Sequence, residues 1–261
     1  MCTVVISVQP ASAVPVLLAG VRDEFSQRPW LAPARHWRRC PELIGGLDRL
    51  AGGTWLAVDD GHRRVAAILN AFGRHTDPGA RLSRGELPLL AASGGRVDEV
   101  DLPRYDPFHL VSADLETVTV STWDGYQLVE HRLGSGLHIV VNSGIEGKGT
   151  IDEAPAGAVD EISARLHHFR PLLQAAARPE PIGGTAAQAW GQWLPLVDGG
   201  GLDMADPRAL VVRRDFGERG IWGTSSISLV GLRPGGVRYD FAANPGMPGD
   251  YLPVDLEMSQ S

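Results

Sequence analysis

The chain opens on Met1-Cys2 followed by the apolar, β-branched run TVVISV, and that order of residues suits one particular chemistry. Methionine aminopeptidase trims an initiator methionine that precedes a small residue, so Cys2 would become a mature N-terminus with a thiol and a free α-amine. A thiol is a strong nucleophile once a base takes its proton. The amine is such a base: its reference pKa of about 7.7–8.0 lies just below the thiol's value of about 8.5, so proton transfer between them costs little. One residue would supply nucleophile and base for acyl transfer. The other polar candidates fall where strands are predicted to end, which is where a scaffold presents site groups. These are the VRDEF segment, Asn70 and Asn142.

The elements that must position them are legible from pattern. CTVVISVQ and VPVLLAG, separated by PASA, read as a pair of strands. The charged stretch VRDEFSQRPW reads as a loop. GGTWLAVDDGHRRVAAILN forms a second hairpin around Asp60-Gly61, a dipeptide typical of tight turns. Ser83 and Glu86 have capping-box spacing and mark a short helix start, with Pro88 in its first turn. From Phe108 to Val141 four strand-like runs alternate with turns and read as an antiparallel meander. Two helices follow: one with Val159, Ile162, Leu166 and Phe169 at helical spacing, and one with Ala187, Trp190 and Leu194. The tail returns to strands in ALVVRRDF, GIWGTSSISLVGL and GVRYDFAAN. Many antiparallel strands with a block of helices predict an α+β fold in which helices layer on sheet. No linker interrupts the chain, so residues 1–261 are expected to form one domain.

Composition narrows the function classes. Lys+Arg number 24 against 31 Asp+Glu, a formal charge of −7, which opposes a protein that neutralises nucleic-acid phosphates. Lys148 is the sole lysine. Cys2 and Cys40 are the only cysteines and show no zinc-type spacing; a reducing, cytoplasmic setting fits them. His167 and His168, adjacent on a helix, point about 100° apart and make a poor metal pair. No metal or cofactor is called for. No apolar stretch approaches the ~20 residues of a membrane-spanning helix.

The blocks MCTVVISVQP, VRDEFSQRPW, GGTWLAV, ILNAFG, RLSRGELP and VVNSG, in this order over roughly the first 150 residues, resemble the NRDE family, called transport and Golgi organisation 2 proteins in animals. That family is similar to the N-terminal-nucleophile cysteine amidases. The resemblance implies a four-layer αββα sandwich of mostly antiparallel sheets, and an activity on a non-peptide amide or related acyl bond through an S-acyl Cys2 intermediate. It further implies Arg22, Asp23, Asn70 and Asn142 as the partners of Cys2. An arginine would favour the thiolate, a carboxylate would hold the amine, and amide donors would stabilise the oxyanion. Val21 and Ser225 stand where the family pattern has asparagine and a late arginine. Adjacent strand residues point to opposite faces, so Arg22 and Asp23 both face Cys2 only if the strand has ended; Glu24 is the alternative carboxylate. Arg28, Trp30 and Trp55 are candidate pocket-mouth residues, and Lys148 a candidate contact for an anionic substrate. The competing reading is a non-catalytic carrier of haem or another hydrophobic ligand. In either case the partner is a small molecule.

Overall fold

The computed structural model describes residues 3–243, 245 and 251–256; Met1 and Cys2 lie outside the described residues. Strand β1 (Thr3–Val8) pairs on one side with β2 (Val16–Phe25) and on the other with β10 (Gly136–Val141), so it occupies the middle of its sheet. β2 in turn pairs with the thirteen-residue β13 (Ile221–Arg233). β11 (Gly144–Ile145), β12 (Arg213–Asp215), β14 (Gly236–Ala243) and β15 (Leu252–Pro253) complete this first sheet. The second sheet runs in sequence order: β3 (Trp30–Ala34), β4 (Leu43–Asp48), β5 (Leu56–Asp59), β6 (Arg64–Asn70), β7 (Phe108–Ala113), β8 (Val118–Trp123) and β9 (Leu128–Arg132). All strand pairs within the two sheets are antiparallel.

Side-chain alternation sorts the apolar residues into three cores and fixes the layering. Val4, Ile6, Val16 and Leu18 of the first sheet pack against Ile44, Leu56, Val58 and Val111 of the second. The opposite face, with Val5, Leu17, Val21 and Ile139, packs under α2 (Ala158–Ala175), α3 (Ala186–Trp190) and α4 (Trp193–Val197). The outer face of the second sheet receives the short α1 (Leu87–Ala92) through Leu43, Ala66, Phe108 and Leu110. The result is a four-layer αββα sandwich, the architecture expected from the sequence. Sheets buried on both faces explain why β1 and β2 read as near-continuous apolar runs.

Four local expectations need correction. VRDEF is not a loop: it is the last part of β2, held by pairing with β13, whose length lets it cover the charged segment. The predicted meander loses its fourth run, because LHIVV leaves the second sheet and pairs as β10 with β1; periodicity identifies a strand but not its partner. TAAQAWGQWLPLV forms two short helices broken at Gly191, whose φ of 47° ends the first. ALVVRRDF contributes only Arg213–Asp215 as strand.

Candidate functional site

One end of the sandwich brings together the start of β1 and the ends of β2, β4, β6 and β10. Thr3 pairs with Val21 on β2 and with Val141 on β10. Arg22 and Asn142 are therefore the next residues on the two strands that flank the start of β1, and Cys2 is the residue that precedes Thr3 in the chain. Asn70 reaches the same end from the second sheet, because β6 ends there.

Asn142 ties the sheets together. Its Nδ2 donates to the Asn70 carbonyl at 2.8 Å. Its own carbonyl accepts from the Phe72 amide at 3.2 Å and from His109 Nε2 at 3.2 Å. A carbonyl only accepts, so Nε2 bears the imidazole proton and Nδ1 accepts from the Thr122 hydroxyl, 2.8 Å away. Burial pushes His109 down to about 4, against the pull of its bond to Asn142, and the ring is neutral at ordinary pH. Asn142 is buried, and among the described residues its Oδ1 has no hydrogen-bond partner. The Asn70 side chain is exposed. Both asparagines line a cavity of about 650 Å³ whose walls include Phe25, Phe72, Phe216 and Trp222.

Arg22 and Asp23 are both buried but face opposite ways, since β2 continues to Phe25. The Arg22 guanidinium turns between the sheets and lies over the Trp55 ring, 4.3 Å from its centre. Its Nη1 donates to Ser225 Oγ at 2.7 Å, and that hydroxyl donates to the Arg22 carbonyl at 3.1 Å. Ser225 is the extra residue of a β-bulge, where the register of β13 against β2 shifts between Thr224 and Ser226. Around this pair stand Glu24 and Asp48, 3.7 and 3.9 Å from Arg22 Nη2, and Arg28, whose Nε is 2.5 Å from Asp48. Burial works against the charge of Asp48. The Arg28 bond and the Leu50 and Ala51 amides prevail and hold its carboxyl below the usual range. Trp30 meets Trp55 edge to face at 5.8 Å, and both are half-buried.

Asp23 faces the helix layer. Its Oδ1 accepts from Thr224 Oγ1 at 2.7 Å, and Thr224 Oγ1 accepts from the Val212 amide at 2.9 Å. Burial raises its pKa, while nearby positive charge, that of Arg165 included, and the Thr224 bond pull it back.

Lys148 stands apart. It is exposed in the loop after β11 and lines a second cavity of about 640 Å³ with Ser143, His167 and Arg170. Cys40 is half-buried on the outer side of the second sheet, and burial raises its thiol, with Glu42 adding to the rise.

Sequence reasoning missed Asp48, His109, Thr224 and Arg165. His109 left a signal, a histidine inside the apolar run FHLV on a strand. Asp48 left a weaker one, an aspartate two and three residues ahead of the amides it caps, as in other Asx turns. Among the described residues no group of three or more His, Cys, Asp or Glu is arranged to hold a metal, and no helix is long and apolar enough to cross a membrane.

Comparison with known proteins adds three findings. The family model described as transport and Golgi organisation 2 matches residues 1–169. No curated protein matches the chain. Among solved structures, penicillin V acylase from Agrobacterium tumefaciens aligns with a TM-score of 0.49 at 11% identity, covering 97% of this chain and 86% of that one.

Proposed function

The chain belongs to the transport and Golgi organisation 2 family, and from that premise we propose that it is an N-terminal-nucleophile hydrolase: Cys2, freed by removal of Met1, attacks a non-peptide amide or related acyl bond and becomes S-acylated. The observation that supports this most is the strand register. Thr3 pairs with Val21 and Val141, so Arg22 and Asn142, the residues implied as partners of Cys2, flank the start of the strand it precedes. Beside them opens the cavity walled by Phe25, Phe72 and Trp222, which suits an apolar substrate group.

In this reading the Cys2 amine takes the thiol proton, the thiolate adds to the carbonyl carbon, and the leaving amine departs with a proton from the ammonium. Water then cleaves the S-acyl bond, with the amine again as base. Asn70 presents its exposed side chain as an oxyanion donor. Asn142 is anchored to Asn70, Phe72 and His109 and gives the site a fixed wall. Arg22 favours the thiolate, with a charge partly balanced by Glu24 and Asp48. Asp23 holds the ammonium.

Intact-mass measurement should show loss of one methionine. Iodoacetamide should modify Cys2 before Cys40, whose thiol is raised by burial. Any turnover found in a screen of amides, thioesters and lactones should vanish in Cys2→Ala with the circular dichroism unchanged. Turnover that survives Cys2→Ala, or an active protein that retains Met1, removes this mechanism. The carrier reading draws on the aromatic walls of the same cavity; stoichiometric haem binding that persists in Cys2→Ala, with no hydrolysis in the screen, would put it first.

A further inference from the structure

The cavity against α2 differs from the others in its charge. It measures about 640 Å³, and Lys148, the sole lysine of a chain with a formal charge of −7, lines it with Arg170, His167 and one carboxylate, Glu146. In the aromatic cavity the carboxylates of Glu153, Glu161 and Asp215 outnumber the guanidiniums of Arg214 and Arg219. In a cavity of about 400 Å³ on the outer face of the second sheet, Asp98, Asp114 and Glu130 likewise outnumber Arg64 and Arg96. A cleft in which one sign of charge prevails concentrates ligands of the other sign. In this acidic protein the cavity against α2 is the place where cations prevail.

Its walls are fastened to each other. A Cβ on Gly147 would stand 2.8 Å from Leu166 Cδ1, so the loop after β11 lies directly on α2, and the φ of 70° at this position suits glycine. Next to it, Glu146 pairs with Arg170 Nη1 at 3.1 Å and accepts from the Ile139 amide at 3.1 Å. Val159, Ile162 and Leu166 supply an apolar floor. Ser163, His167, Arg170 and Gln174 follow one another along the same side of α2 at spacings of three and four residues. Their polar atoms are only partly engaged. Arg170 uses Nη1 alone, on Glu146 and on the Leu137 carbonyl at 3.2 Å. That leaves Nε and Nη2, the edge of a guanidinium that grips an oxyanion with two parallel bonds. His167 Nδ1 donates to the Ser163 carbonyl at 2.8 Å, which leaves Nε2 for an outside partner. Among the described residues the Lys148 ammonium makes no ion pair or hydrogen bond.

We propose that this cavity is a second ligand site, for a phosphomonoester with a compact apolar body. The phosphate dianion answers both the bidentate edge of Arg170 and the point charge of Lys148, whereas a single carboxylate carries half that charge. The apolar body lies on Val159, Ile162 and Leu166. The site is separate from the cavity of the two asparagines and adjoins it through one residue. Ser143 lines the cavity against α2, follows Asn142 in the chain, and accepts from the Gly149 amide at 2.5 Å through its carbonyl. It requires no chemistry at Cys2.

Isothermal titration calorimetry with phenyl phosphate, at about pH 8 where the phosphate is a dianion, tests the site. The parent should bind one equivalent with a Kd below about 1 mM. Inorganic phosphate, which lacks the ring, and benzoate, which carries a single charge, should each bind at least about fivefold more weakly. Lys148→Ala should weaken phenyl phosphate about tenfold, the worth of one charge-assisted bond, with an unchanged thermal midpoint. Arg170→Lys keeps a cation beside Glu146 but removes the bidentate edge, and should weaken it by a similar factor. Arg219→Ala, at the aromatic cavity, should bind as the parent does. Titration without saturation, parental affinity in Lys148→Ala, or a loss of affinity in Arg219→Ala in its place overturns the proposal. So does inorganic phosphate or benzoate bound as tightly as phenyl phosphate, since the apolar body or the dianion would then play no part in recognition. Because binding is read instead of turnover, a parent without hydrolase activity leaves the outcome intact.

Discussion

Arg22 and Asp23 are neighbours on one strand and live in opposite electrostatic worlds. On the inter-sheet side, Arg22 has the face of a tryptophan 4.3 Å away and a serine hydroxyl and two carboxylates within 4 Å, and Arg28 shares the same two carboxylates. Side chains of Glu24 and Arg28 reach solvent, so the loss of one member can be made good by another or by water. On the helix side, Asp23 is sealed away from solvent, with the Thr224 hydroxyl and Arg165 among the groups that act on it. The difference teaches that access to solvent, more than the number of charges, decides how a site tolerates change.

The two sides should therefore respond unequally. Asp23→Ala empties a buried polar position and breaks the bond from Thr224 Oγ1, and should cost about 3 kcal/mol. Arg22→Met leaves Asp48 with Arg28 and its two backbone amides, and should cost about 1–2 kcal/mol, mostly from the lost Ser225 bond and Trp55 contact. Urea unfolding of both variants at pH 7 checks the ranking. Equal costs would break the comparison.

His109 sharpens it with a pH axis. Its folded pKa of about 4 lies below the unfolded value of about 6.5, so the unfolded chain binds the extra proton between these values. The stability it secures is fully present above pH 6.5 and is lost as pH falls toward 4, by about 3 kcal/mol over the window. His109→Gln should flatten that slope, and it should also weaken the anchor on the Asn142 carbonyl, seen as faster amide exchange at Phe72. An unchanged acid slope in this variant would assign the acid sensitivity elsewhere.

How much of this was legible in the sequence differs by layer. The first two hairpins, the Ser83 helix start and the long helix over 158–175 followed from turn dipeptides and apolar spacing, which are local. The crossing of β10 to the first sheet was not legible, because the pairing of Val4 with Val140 is decided across more than a hundred residues. Arg22, Asn70 and Asn142 drew notice in the sequence because they stand in motif blocks; the structure puts Asn70 at the end of β6 and Asn142 just after β10, whereas β2 continues past Arg22 to Phe25. Arg165 was hidden by the helical pattern itself, which expects an apolar residue at a buried position. Asp48 was hidden because β4 was not read as a strand at all.

Trp55 tests the inter-sheet side alone. Trp55→Leu removes the ring under Arg22 and the edge-to-face contact with Trp30, while the hydrogen bond to Ser225 remains available. The electrostatic part of that loss is about 0.5–2 kcal/mol, added to a packing loss that Trp55→Phe should largely spare. Comparing the two variants in urea separates them, and a phenylalanine variant as weak as leucine would assign the tryptophan to packing rather than to the arginine.

The smallest effect is expected at Lys148, and its smallness is informative. The side chain is exposed, and a surface substitution away from caps and cores changes stability by no more than about 0.5 kcal/mol. Lys148 lines the cavity with Ser143, His167 and Arg170, whereas Asn70 and Asn142 line the other one. Two cavities of similar volume, about 640 and 650 Å³, thus flank the segment that follows β10, and volume does not choose between them. The chemistry does: the buried acceptor of Asn142 and the exposed amide of Asn70 belong to one, an exposed ammonium to the other. If acyl transfer takes place beside the asparagines, Lys148→Ala should change kcat/KM less than twofold on every substrate that the parent turns over, anionic ones included, while Asn70→Ala lowers kcat by about 100-fold, the cost of a lost oxyanion donor. A Lys148→Ala variant that loses activity selectively on anionic substrates, with its melting point unchanged, would move substrate binding to the cavity against α2 and leave the aromatic one as a structural hollow.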